Sequence, residues 1–209
     1  MSRAWVFADG DFNSNNWILD YDSTRGAAFA WYYSQIGNPA PSVYIELAVN
    51  TAQELPLEGN FYRPDFSYDP SSQGALTTLY FAQDGYGGGR YVETDNQFLI
   101  IQNGIKYMAS ATHGSYQGRG GMPEWVTFTA TTQASDFASA GGQHPDWSST
   151  GSPLTFGVTR SLVRNTYSND VTNGLDNFWV GTMPVPEPAS LTVLGLGMAF
   201  LLRQTVRRH

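Results

Sequence analysis

The sequence predicts an all-β protein, an antiparallel jelly-roll β-sandwich, and three observations carry that expectation. Short apolar or alternating runs recur between turn-forming residues, as in a sandwich. No segment before residue 188 shows helical periodicity beyond one turn near Ala134–Ser139. Aromatic residues make up 14% of the 209 and charged residues only 14%, beside 22 Gly and 11 Pro. A helical bundle would carry more Glu, Lys and Arg, whereas strands favour aromatic and β-branched side chains that pack on a pleated surface.

The elements follow in chain order. Ala4–Phe7 reads as a strand, and Ala27–Ser34 as a dense aromatic one. Val43–Val49 alternates cleanly, with Val43, Ile45, Leu47 and Val49 on one face. Leu76–Ala82 and Gln97–Gln102 come next, and Asn103-Gly104 reverses the chain into Ile105–Ser110. Asn-Gly suits a two-residue hairpin because both central positions of that turn need positive φ. Trp125–Thr131, Leu154–Thr159 and Leu175–Gly181 complete the set. The sandwich is expected to fill residues 1–181, a linker residues 182–188, and a single C-terminal hydrophobic helix with an arginine-rich end residues 189–209.

That end has three blocks. Pro186 and Pro188 hold the chain extended, Ser190 can cap a helix, and Ala189–Leu202 is apolar throughout its length apart from Ser190 and Thr192. Fourteen residues of helix reach about 21 Å, short for a span, and snorkelling from Arg203, Arg207 and Arg208 lengthens it. Arginines there favour the cytoplasmic side, leaving the body outside. Together, Pro186-Glu187-Pro188, the apolar helix and the arginine cluster resemble the PEP-CTERM sorting signal. The resemblance implies a Gram-negative bacterium that makes exopolysaccharide. It also implies an exosortase-type protease as partner, which cuts near the motif, so that this chain is its substrate. Such proteins are exported behind a secretory signal, which Met1–Leu19, with Asp9 and Asp11 and no apolar run of seven, does not supply; one is expected upstream. The implied path is the inner membrane transiently, then cell surface or matrix.

Net charge is −7, divided as −9 over residues 1–184 and +2 over residues 185–209. An acidic body has no electrostatic case for nucleic acid, which needs clustered Lys and Arg. The absence of cysteine excludes disulfides, thiolate metal sites and a Cys nucleophile. In the body, Asp9-Gly10-Asp11-Phe12, Tyr68–Ala75 and Leu175-Asp176-Asn177-Phe178 resemble secreted sandwiches of the galactose-binding-like or laminin-IV-like type. That resemblance supports the fold and implies no activity.

Few residues stand in a pattern that carries chemistry. Gly85–Arg90 lacks the Lys-Ser/Thr and following helix of a phosphate loop, so it reads as a long loop. His113, Ser115 and Asp136 form a triad only on paper, and Ser115 lacks a nucleophile elbow. No predicted strand carries two acids on one face, as a sandwich glycosidase would. A structural calcium ion between the first and last strands would take Asp9, Asp11 and Asp176 as ligands; a turn at Asp9-Gly10 and a loop cap at Asp176-Asn177 explain the same residues. Loop aromatics Tyr86, Tyr91 and Trp147 offer stacking faces for sugars, with Asp84, Arg90, Asp95 and Asp146 to bond hydroxyls. The acidic body favours a neutral exopolysaccharide as partner. The expectation is a non-enzymatic, glycan-binding envelope or matrix protein. A carbohydrate-active enzyme (glycoside hydrolase or lyase) on the same scaffold and a purely structural matrix protein are the alternatives.

Overall fold

A computed structural model describes residues 5–10, 12, 15–23, 26–33, 42–49, 57–88, 92–109, 125–165 and 170–182. Its strands are β1 (Val6–Asp9), β2 (Ile18–Tyr21), β3 (Gly26–Tyr33), β4 (Ser42–Val49), β5 (Leu57–Tyr68), β6 (Leu79–Gly88), β7 (Val92–Gln102), β8 (Ile105–Ala109), β9 (Val126–Thr132), β10 (Phe137–Ala138), β11 (Leu154–Asn165) and β12 (Asp170–Gly181). They form two antiparallel six-stranded sheets. One runs β3-β4-β12-β6-β9, with β1 also on β12; the other runs β10-β8-β7-β11-β5-β2. Among the described residues helix is confined to α1 (Pro70–Gln73) and a 3-10 turn at Ala134–Asp136. Among the described residues no helix is long and apolar enough to cross a membrane. The predicted helix at 189–209 lies outside the described residues.

Alternation builds the core. Leu79 and Phe81 of β6, Phe98 and Ile100 of β7, Leu154, Phe156 and Val158 of β11, and Phe178 and Val180 of β12 are buried between the sheets. Aromatic rings bridge the two layers: Phe81 lies 4.6 Å from Phe98 and 5.6 Å from Phe137 between centroids. Trp17 stacks on Phe61 at 4.7 Å and meets Phe178 edge-on. Each such side chain contributes roughly 1.5–3 kcal/mol by leaving water.

The hairpin forms where Asn-Gly places it. Asn103 has φ +54° and Gly104 φ +76°, and Gln102 faces Ile105. β5 is a strand that alternation does not reveal, because Arg63-Pro64-Asp65 interrupts it. Its pairing with β11 breaks at that point: Thr155 faces Ser67 and Gly157 faces Tyr62, so Pro64 needs no ladder partner there. Gly157 is required at the break, since a Cβ would lie 2.4 Å from the Phe61 carbonyl oxygen.

One loop expectation is corrected. Gly85–Gly88 is the end of β6, paired with Thr172–Leu175, and not part of a loop. The Phe128 ring occupies the space a Cβ on Gly85 would take, which accounts for glycine inside a strand. Ile18–Tyr21 forms β2, and its Asp20 pairs with Lys106 at 2.6 Å.

Candidate functional site

A bulge in β12 sets the candidate site. Asp176 faces Asp84 and Trp179 faces Ala82, so three steps along β12 answer two along β6. The extra residue falls at Asn177, whose φ is +48°, a conformation Asn tolerates better than most residues. Leu175 and Phe178 can therefore both point into the core, while Trp179 joins Tyr80 and Ala82 on the opposite, outer face. Thr129 and Thr131 of β9 face Ala82 and Tyr80 and are exposed.

These residues line a groove of about 400 Å³, with Tyr80, Ala82, Thr129, Thr131 and Trp179 as its side-chain lining. In the register Ala82 lies between Trp179 and Thr129, and Tyr80 lies in the next row between Gly181 and Thr131. Successive rows on this face are about 7 Å apart along the strands. The row on the other side of Ala82 holds Asp176, Asp84 and Thr127. There the Asp84 carboxylate accepts the Thr127 hydroxyl through Oδ1 and the Asn177 side-chain amide at 2.8 Å through Oδ2. Asp176 is fully buried and accepts the Asn177 backbone N–H at 2.8 Å. A pair of carboxylates thus exists on neighbouring strands, which a search within single strands misses.

Of the residues picked from the sequence for sugar contact, Trp147 offers no surface ring. Trp147 is 4% exposed and lies 5.9 Å from Phe137, so its indole belongs to the core and offers no stacking face. The cause is a clamp: Gln102 donates to the Asp146 carbonyl at 2.8 Å and accepts the Asp146 N–H at 2.7 Å, which fixes the chain with residue 147 inward. Asp146 is exposed and accepts the Ser148 N–H at 2.9 Å as a turn former. Hydrogen bonds from Ser148 hold its carboxyl below the ordinary aspartate range. Tyr86 lies on β6, two residues beyond Asp84, and Asp95 on β7 of the other sheet. Arg90 and Tyr91 lie outside the described residues, as do His113 and Ser115. Asp136 accepts the Gln133 N–H as a cap at 2.7 Å.

The first and last strands do pair, with Asp9 opposite Phe178. Yet Asp9 is committed elsewhere. Its carboxylate accepts the Phe12 N–H and the Trp17 indole N–H, each at 2.8 Å, and forms an ion pair with Arg63. The Arg63 guanidinium thus already supplies that oxygen with a cationic partner. Asp11 lies outside the described residues, and among those described no cluster of three His, Cys, Asp or Glu could hold a metal. Arg63 also pairs with Asp65 at 2.8 Å and caps the Phe66 ring at 4.3 Å. The bond from Arg63 lowers the Asp65 pKa, and Asp65 in turn raises that of Arg63.

One buried cluster lies between the sheets. Arg160 is fully buried and donates to Gln83 Oε1 at 2.9 Å, opposite Asn96 in the sheet register. Burial pushes the guanidinium down to about 9, so it stays charged at neutral pH.

Comparison with known proteins sorts the two ends of the chain. Residues 184–208 match the model of the PEP-CTERM protein-sorting motif. The chain carries a PEP-CTERM sorting signal. That signal marks an exported, cell-surface-directed protein processed by an exosortase, as Pro186-Glu187-Pro188 implies. No curated protein sequence matches the chain. Among solved structures, the body is similar to the CBM22-1–GH10 modules of a Clostridium thermocellum endo-1,4-β-D-xylanase complexed with xylohexaose. That match has a TM-score of 0.52 and 13% identity, over 88% of this chain and 29% of that one. It shows the fold, and this chain spans less than a third of that xylanase chain. A second is the CBM22-1 xylan-binding domain of Paenibacillus barcinonensis Xyn10C, with a TM-score of 0.47 and 9% identity over 86% and 96% of the two chains.

Proposed function

We propose that this is a non-enzymatic, glycan-binding protein of the cell envelope or extracellular matrix. Its tail (residues 189–209) holds it in the inner membrane until the exosortase cuts near Pro186–Pro188, and its sandwich (residues 1–181) then binds polysaccharide. The single observation that carries the binding reading is the groove walled by Trp179 and Tyr80 on the outer face of β6, β9 and β12. An open apolar face beside hydroxyls suits a sugar ring, whose C–H face is apolar and whose edge is polar. The sorting signal supports it by sending the body to the cell surface. A glycan is also the ligand with which the neighbouring xylanase was solved.

The test is affinity electrophoresis of the full chain, in mild detergent, through gels containing the cell's own exopolysaccharide or one of a panel of glycans. Retardation supports the reading, and migration unchanged in every gel overturns it. For the sorting step, mass spectrometry of surface material should find the body without Leu191–His209. Intact tail on all surface protein, with the exosortase active, contradicts it.

One observation favours a second reading, a glycoside hydrolase. Asp84 and Asp176 face each other on adjacent strands, one row from the groove. Cross-strand partners carry their side chains close together, and glycosidases work with a pair of carboxyl groups. Release of reducing ends from a bound glycan, abolished in Asp84→Asn, would establish it in place of the first.

A further inference from the structure

We infer that the groove selects uncharged glycans and rejects uronic or sulfated ones; this rests on the glycan-binding reading and specifies its ligand class. The lining is the argument. Tyr80, Ala82, Thr129, Thr131 and Trp179 supply two aromatic rings, methyl groups and hydroxyls. None of them carries an ammonium, a guanidinium or an imidazolium. A carboxylated or sulfated sugar would lose hydration on entering and meet no cation among the described lining residues, a loss unpaired burial always imposes on an ion. A neutral ring incurs no such cost. It can lay its apolar face against Trp179 while its edge hydroxyls reach Thr129 and Thr131, each of which can donate and accept.

The groove also predicts its own signature. Binding that uses stacking and neutral hydrogen bonds has no counterion release and no titrating group at the contact, so its affinity is independent of salt and, around neutrality, of pH. An anionic polymer held by Arg or Lys elsewhere on the body would instead lose affinity steeply with salt.

The experiment is calorimetry of the full chain in detergent with a neutral glucan, a neutral xylan and a polyuronate, from about 0.02 to 0.5 M salt. The neutral polymers should bind with affinities that change less than about twofold across the series, and the polyuronate should not bind. Thr129→Arg places one cation on the exposed rim of the groove and should confer polyuronate binding that salt weakens. Binding of the polyuronate by the unaltered chain, or neutral binding that falls tenfold or more with salt, overturns the inference and leaves glycan binding standing. Thr129→Arg without gain, while neutral glycans still bind, overturns the location of the selectivity. Failure of all three polymers and of the cell's own exopolysaccharide removes the glycan-binding reading itself.

Discussion

The two faces of β6 are built from alternate residues of one strand and differ in almost every respect. Inward, Leu79, Phe81 and Gln83 are closed over by the opposite sheet, and Phe81 touches rings from β7, β10 and β11. Outward, Tyr80 and Ala82 meet Trp179 and the exposed threonines of β9 in an open groove. The inner face holds the fold and the outer face is available to a ligand. A side chain's role on these strands is therefore set by register, and the bulge at Asn177 sets register on β12.

That contrast is sharpest in stability. Phe81→Ala should cost about 3–5 kcal/mol by chemical denaturation, the cost of a cavity at a fully buried aromatic. Tyr80→Ala, one residue away, should cost less than about 1 kcal/mol. Equal losses would mean that the outer face is structural too.

Next comes the Asp9 latch, which ties β1 to Arg63 of β5 in the other sheet and to the Trp17 indole. Asp9→Asn removes the ion pair with Arg63 and should cost about 1–3 kcal/mol, because the carboxylate is buried and accepts three donors. A melting temperature unchanged by that substitution would contradict the latch.

The inner face has one feature that resembles the outer face, its polar patch at Arg160 and Gln83. An interior charge with no carboxylate bonded to it among the described residues is costly, so replacing both by methionine should stabilise the fold by about 1–3 kcal/mol. Destabilisation of the double variant would show that the patch supports the sandwich. The guanidinium's depressed pKa gives the sign with pH: between about 9 and its ordinary value the folded state binds fewer protons, so the wild type gains stability as pH rises there. The methionine variant should lack that rise.

The smallest expected effect belongs to the exposed turns. Asp65, Asp69 and Asp146 have folded pKa values below their unfolded ones, each chiefly through a side-chain hydrogen bond, to Arg63, Ser71 and Ser148 respectively. Their contribution is present above the unfolded aspartate pKa and is lost as pH falls through the lowered values. A denaturation midpoint that rises on acidification through that window would contradict the sign.

Much of the sandwich is legible in alternation and turn chemistry, as at Val43–Val49 and Asn103-Gly104. The unread parts have local physical causes. β5 hides behind Pro64, because a proline inside a strand is tolerated only where the ladder is broken, and the break appears only in the pairing with β11. The end of β6 hides behind a glycine-rich run, in which Gly85 makes room for the Phe128 ring of β9. At the site, Trp147 reads as a loop aromatic, and only the Gln102 clamp shows that it turns inward. Trp179 has the opposite history. Strict alternation from Leu175 assigns it to the core, and one extra residue at Asn177 moves it outside. The sorting signal needed none of this, since its three blocks are contiguous in sequence.

These two tryptophans test the central claim most directly. Trp147→Ala and Trp179→Ala are measured side by side for unfolding free energy and for retardation by a neutral glycan. The account predicts a crossover. Trp147→Ala loses about 3–5 kcal/mol of stability and, while folded, still binds. Trp179→Ala keeps its stability to within about 1 kcal/mol and loses retardation. Loss of stability in Trp179→Ala as large as in Trp147→Ala, or full retardation without the Trp179 indole, would contradict it.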